Sequence, residues 1–214
     1  MQKLFLFIVL SFSLSCATGL GASNPKGVWL FDGRTFSGWQ GDTLQTWRIE
    51  NRALVGGSLH ETVPHNNFLA TTQSYKDFDL TLEFKLVGTG FVNAGIQFRS
   101  QRVAAPDYEM TGYQADLGDS YWGSLYDESR RNKILAQPDS LIIKKILRTN
   151  DWNAYRIRST GRRIQIWLNA TQTIDYTEPD QTIVQEGLIA LQIHGGGKAE
   201  ASYRNIRLTV LPTK

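Results

Sequence analysis

The sequence predicts an all-β domain, a sandwich or a barrel, and three observations carry that prediction. From Trp29 onward apolar residues recur at alternate positions, the period of a strand with one buried face. The alternating segments are short and separated by turn residues. A single stretch carries helix signals: 139–147, where Asp139 or Ser140 can cap and Lys144, Lys145 and Arg148 suit a C-terminal end.

In chain order, strands are expected at 47–50 and 53–55, with Asn51-Arg52 as the turn between them. The clearest strand is 78–86, where Phe78, Leu80, Leu82, Phe84 and Leu86 share one parity and Asp79, Thr81, Glu83 and Lys85 the other. Strands at 94–99 and 113–117 precede the helix. After it come 155–159 and 164–169 around Gly161-Arg162, with Asn169-Ala170 as a further hairpin turn. The last two are 188–194 and 206–210; Gly195-Gly196-Gly197 between them lacks the trailing Lys-Ser/Thr of a phosphate loop and reads as a flexible turn.

A chain of 214 residues suits one large core, expected over 27–212. With 41% hydrophobic and 20% charged residues, 6 Pro and 19 Gly, it is neither a disordered polyelectrolyte nor collagen-like. The formal charge is +3, and a mature chain without Lys3 carries +2, which does not suggest a nucleic-acid partner.

Residues 1–22 read as an export leader: Lys3, an apolar run from Leu4 to Leu14 interrupted by Ser11 and Ser13, then small residues. The run is shorter than the roughly 20 residues a spanning helix needs, so no transmembrane helix is expected. Cys16, the single cysteine, stands where a bacterial lipoprotein signal places its acylated residue; cleavage near Gly21 or Ala22 is the equal alternative. Either implies an exported bacterial protein, periplasmic, extracellular or lipid-anchored, whose mature domain has no disulfide.

The strands that could carry chemistry have planar polar groups opposite their core parity. Asn93, Gln97 and Arg99 stand opposite Ile96 and Phe98. Gln114 and Asp116 share a parity, as do Gln192 and His194. If these strands are neighbours, the seven residues form one polar face suited to a polyhydroxylated ligand, because amides, carboxylates and guanidinium groups meet hydroxyls while aromatic faces cover a sugar's apolar patches. Taken singly, each is better read as a solvated sheet residue. Trp122 and Tyr126 stand beside them, in a loop that also holds Asp127, Glu128, Arg130 and Arg131. A carboxylate there could act as general acid or base, or bind a divalent cation with Asp116 and His194. Local ion pairing of the adjacent acids and arginines is the competing reading. His60 and His65 are expected to face solvent.

No Gly-x-Ser-x-Gly elbow, His-Glu-x-x-His, Walker loop or Rossmann fingerprint occurs. The sequence does resemble the bacterial secreted 3-keto-disaccharide hydrolase domain family. The resemblance rests on Leu30-Phe-Asp-Gly-Arg-Thr-Phe-Ser-Gly-Trp39, Asn93-Ala-Gly-Ile-Gln-Phe-Arg-Ser100, Gly112-Tyr-Gln-Ala-Asp116, Asp151-Trp-Asn-Ala-Tyr-Arg-Ile157, Gly187-Leu-Ile-Ala-Leu-Gln-Ile-His194 and Tyr203-Arg-Asn-Ile-Arg-Leu208. It departs from the family at Asn93-Ala94-Gly95 and Asn169-Ala170, where Asn-Ser-Gly and Asn-Gly are usual.

The resemblance implies a two-sheet antiparallel jelly-roll sandwich of the concanavalin A-like lectin/glucanase type, acting on 3-keto-glycosides or 3-keto-disaccharides by hydrolysis or by elimination and hydration. A sugar 3-dehydrogenase would supply such a substrate. Combined with the polar face, it makes Asp116, Glu128, His194 and Arg99 the catalytic candidates. Asn93, Gln97, Gln114, Trp122, Tyr126, Asp127 and Gln192 are then the binding candidates, with Asp116, Glu128 and His194 available to a divalent cation. A carbohydrate-binding module without catalysis is the alternative on the same scaffold.

Overall fold

The computed structural model describes residues 27–212, so the leader and Cys16 lie outside the described residues. Fifteen strands and one helix follow one another along it. One antiparallel sheet contains β1 (Val28–Trp29), β3 (Trp47–Glu50), β4 (Ala53–Gly57), β6 (Phe78–Gly90), β11 (Asn153–Thr160), β12 (Arg163–Leu168), β13 (Thr171–Thr177) and β15 (Gly197–Val210). Its order is β13-β12-β11-β6-β15-β4-β3, with β1 on β15. The second contains β2 (Trp39–Gln40), β5 (Asn67–Tyr75), β7 (Asn93–Arg102), β8 (Met110–Gly118), β9 (Leu125–Glu128), β10 (Lys133–Ala136) and β14 (Gly187–Ile193), in the order β10-β9-β8-β7-β14-β5-β2. Helix α1 (Ser140–Ile146) is capped by Asp139, whose carboxylate accepts from Leu141 N.

The core lies between the sheets. The apolar parity of β6 is buried from Phe78 to Leu86 and meets Ile96 and Phe98 of β7, Leu117 of β8 and Leu191 of β14. All three anticipated hairpin turns form. Two of them use no glycine: Asn51 and Arg52 have φ of 48° and 61°, Asn169 and Ala170 of 47° and 68°. Asn tolerates this left-handed region, and Asn169 is further held by accepting from Ala154 N and donating to Ile146 O.

The structure differs from the sequence reading at strand ends and in six further strands. Strands β1, β2, β5, β9, β10 and β13 were not anticipated, and β15 begins at Gly197, the last residue of the glycine turn, rather than at 206. In β5 the burial is continuous from Asn67 to Thr71, so its two-sided packing leaves no period-two signal. The described residues contain no helix long and apolar enough to cross a membrane.

Candidate active site on the outer face of the second sheet

Antiparallel registration places the candidate residues in rows. Gly95 of β7 stands between Asp116 of β8 and Gln192 of β14, and Gln97 pairs with Gln114 on one side and Ala190 on the other. The opposite parity faces the core, so the amides and the carboxylate share the outer face. Two tyrosines of the other sheet hold this row from behind. Tyr155 Oη donates to Asp116 O at 3.1 Å, and Tyr203 Oη reaches Gln192 O at 2.7 Å and Gly95 O at 3.2 Å.

The face is roofed. The β7–β8 connection carries Tyr108 and Glu109 to the far side of the sheet: Tyr108 stacks on His65 with ring centroids 3.8 Å apart, Asn66 Nδ2 donates to Glu109 at 3.3 Å, and Arg102 at the end of β7 donates to Gln40 O at 2.8 Å. Beneath it Met110 packs with Phe68, Ala70 and Ala190. Asp116 is consequently only 3% exposed, and Gln97, Gln114 and Gln192 at most 1%. Beside this arch a cleft of about 490 Å³ is lined by Gln40, His65, Phe68, Arg102 and Tyr108 among others.

Burial governs the electrostatics. It pushes the Asp116 carboxyl up to about 8, against hydrogen bonds to its oxygens from Leu117 N (2.9 Å) and Asn93 Nδ2 (3.3 Å), and the nearby Glu128 charge adds to the rise. Burial also pushes Glu128 up to about 7, aided by the charge of Glu109 and opposed by a hydrogen bond from Gln192 Nε2 at 3.3 Å. Around these two carboxyls, both amide atoms of Gln97 and the Oε1 atoms of Gln114 and Gln192 have no protein partner. Buried amide groups left open in this way require a polar ligand or water. Tyr126 is in the same field, its hydroxyl pushed up by burial and then by Glu128.

Four candidates lie elsewhere. Arg99 adopts φ 50° in a bulge of β7, which turns its guanidinium off the outer face to donate to Asp77 (3.0 Å), Gln185, Lys76 O and Gly161 O. It therefore does not join Gln97 on one face, contrary to expectation. Asp127 is one residue from Glu128 and so points to the opposite side of β9, where Arg130 and Arg131 pair with it. Trp122 stacks on Phe84, 6.2 Å between centroids, at the α1 end of the core. His194 caps the row at its rim, its Nδ1 at Gly195 O and its ring edge-on to Phe91.

Among the described residues no three His, Cys, Asp or Glu side chains form a group that could hold a metal ion, so Asp116, Glu128 and His194 are not brought together as a ligand set. Sequence reasoning missed Glu109, Tyr155 and Tyr203. The parity of Ala199, Ala201 and Tyr203 within an extended β15 was the available signal for the last.

A model of the 3-keto-alpha-glucoside-1,2-lyase-like domain matches residues 27–209. The chain belongs to that family. No curated protein matches it. Among solved structures, this lyase-like domain is similar to a "putative glycosyl hydrolase" from Parabacteroides distasonis, with TM-score 0.64 and 18% identity over 87% of this chain and 94% of that one. It is similar also to the carbohydrate-binding module CBM66 from Bacillus subtilis, with TM-score 0.62 and 18% identity over 80% and 95% of the two chains. A third is a Bacillus subtilis protein of unknown function with a galectin-like fold, with TM-score 0.62 and 11% identity over 84% and 92%. At these identities the likeness of the lyase-like domain to solved structures is one of fold alone, a two-sheet jelly roll.

Proposed function

We propose that this chain is an exported enzyme that cleaves 3-keto-glycosides, with Glu128 as general base and Asp116 as its protonated partner. The observation that carries the reading is a pair of carboxyls held near neutrality, the half-buried Glu128 at about 7 and the buried Asp116 at about 8, beside amide groups without partners. A module that only binds sugar has no need of carboxyls poised in this way.

A ketone at C3 acidifies the C2 proton. Glu128, with the lower pKa of the two, removes it, and the electron pair passes into the C2–C3 bond and onto the ketone oxygen. The enolate then expels the C1 substituent with the C1–O bonding pair, leaving a C1–C2 double bond. Asp116, neutral at pH 7, donates a hydrogen bond to the developing charge, and the amides of Gln97, Gln114 and Gln192 hold the ring hydroxyls once the sugar displaces the β7–β8 arch that covers them. Net hydrolysis is completed when water adds its hydroxyl to C1 and one proton reaches the departed oxygen, while Glu128 returns its proton to C2; release before that step, with the Glu128 proton passing to the departed oxygen, makes the reaction a lyase. A dehydrogenase-class oxidation at C3 has to supply the substrate.

The test is release of a chromogenic aglycone from a 3-keto-glucoside and from its unoxidised parent, by the wild type, Glu128→Gln and Asp116→Asn. Turnover of the keto substrate alone, reduced at least about 100-fold in Glu128→Gln, is expected. Sugar binding by the wild type with no turnover of either substrate would replace the enzyme by a carbohydrate-binding domain, the reading favoured by the open amides taken alone.

A further inference from the structure

The outer face of the first sheet lies across the core from the carboxyls and carries aromatic and polar groups of its own. Strand pairing sets one row straight across five strands: Trp29 of β1 stands beside Arg207 of β15, Arg207 beside Thr81 of β6, Thr81 beside Arg156 of β11, and Arg156 beside Trp167 of β12. The alternate residues Leu80, Ile157, Ile166 and Leu208 are in the core, so the row faces outward. Its ends are tryptophans four strand spacings apart, roughly 19 Å. Each is braced by an arginine, Arg207 at 5.9 Å from the Trp29 centroid and Arg156 at 4.7 Å from that of Trp167.

Two clefts of about 490 and 480 Å³ open along this row and meet at Asn205. Asn205 sits in the β15 bulge between Arg204 and Arg207, with φ 53°. The first cleft holds Trp29, 63% exposed, with Asp32, Asn51 and Arg52; the second holds Thr81, Arg156 and Trp167. The glycine-free turn between β3 and β4 is what brings Asn51 and Arg52 to the first. Asn51, Arg52 and Asn205 are exposed and enter no side-chain hydrogen bond or ion pair among the described residues, whereas Arg156 pairs with Asp79 and Arg204 with Glu83. Asp32 accepts from Thr35 N and Oγ1, which fixes its carboxylate at the cleft wall.

We propose that this face is a carbohydrate-binding groove separate from the carboxyl site, and that it takes an extended, uncharged oligosaccharide whose rings stack at Trp29 and Trp167 while Asn51, Arg52 and Asn205 bond its hydroxyls. An uncharged ligand fits because Arg52 and Asp32 line the same cleft: a hydroxyl accepts from one and donates to the other, and the amides do both. An extended chain fits because the two rings end a straight cross-strand row, which a curved chain would meet at one end only. Groove and carboxyl pair lie on opposite sheets, so neither assignment depends on the other.

The experiment is titration calorimetry with cellotetraose, maltotetraose and glucose on the wild type, Trp29→Ala, Trp29→Phe and Glu128→Gln. Cellotetraose is expected to bind more tightly than either comparator. Trp29→Ala should weaken that binding about 2- to 10-fold, Trp29→Phe should retain most of it, and Glu128→Gln should leave it unchanged. Thermal unfolding checks that Trp29→Ala, an exposed substitution, keeps the wild-type fold. No binding of cellotetraose, equal binding of maltotetraose, or affinity kept in Trp29→Ala and lost in Glu128→Gln would overturn the groove. Turnover of a 3-keto substrate is not read in this experiment, so failure here leaves the proposed reaction standing, and failure of that reaction leaves the groove.

Discussion

Gln192 Nε2 donates to Glu128 Oε2 at 3.3 Å although their strands, β14 and β9, are separated by β8 and β7. The outer face is thus drawn together around its carboxyls, with Glu109 brought in from the arch above. Shielding from water follows from this closure, and the raised pKa values follow from the shielding.

The pH dependence of the proposed reaction is the first consequence. An ordinary carboxylate base would give an acid limb near pH 4. With Glu128 at about 7, kcat/KM is expected to fall on the acid side with an apparent pKa near 7, and to fall again above about 8 as Asp116 loses its proton. A rate profile from pH 5 to 10 on a 3-keto aryl glucoside reads both limbs; a flat profile between 5 and 9 would contradict the roles given to the pair.

Asp116 should also shape stability. Its folded pKa lies above the unfolded one, so the native state holds the proton more tightly; the associated stability is complete below pH 4 and is lost as pH rises towards about 8. Asp116→Asn removes the ionisation that opposes burial. Its Tm, relative to wild type, should therefore be higher at pH 9 than at pH 5, by about 2–4 °C for each 1 kcal/mol relieved. Thermal unfolding of both proteins at the two pH values decides it.

Gly95 supplies the space in which Gln114 lies. A Cβ there would sit 2.4 Å from Gln114 Cδ and 2.6 Å from its Cγ. Gly95→Ala should thus displace Gln114 from the floor, costing about 1–3 kcal/mol and reducing sugar affinity, while Ala94→Gly on the core side should leave that affinity nearer wild type. Chemical denaturation and titration with a 3-keto-glucoside measure the two effects.

Because the Arg99–Asp77 pair is almost completely buried, its side chains 0% and 2% exposed, loss of one partner strands the other charge. Arg99→Ala should cost about 3–5 kcal/mol, and Arg99→Met combined with Asp77→Asn should recover a large part of it. The midpoints of urea unfolding test this.

The sequence alone determined an all-β domain and its core parity, and the family resemblance chose the two-sheet sandwich. Alternation in 78–86 assigned the buried face of β6, and the same rule put Gln97, Gln114, Asp116 and Gln192 opposite the core before any strand was paired, because side-chain direction along a strand is a local property. Local rules failed where a local irregularity intervened. The bulge at Arg99 reversed the direction expected of its side chain, whereas Asp127 faces away from Glu128 by ordinary alternation, once 125–128 is a strand rather than the loop expected there. Tertiary structure decided what the chain's order could not: which strands lie side by side, the tyrosines that brace the row from the opposite sheet, and the β7–β8 arch that covers it. Those are long-range contacts, and they convert a polar sheet face into a shielded site, since desolvation depends on what packs over a carboxyl rather than on its neighbours in sequence.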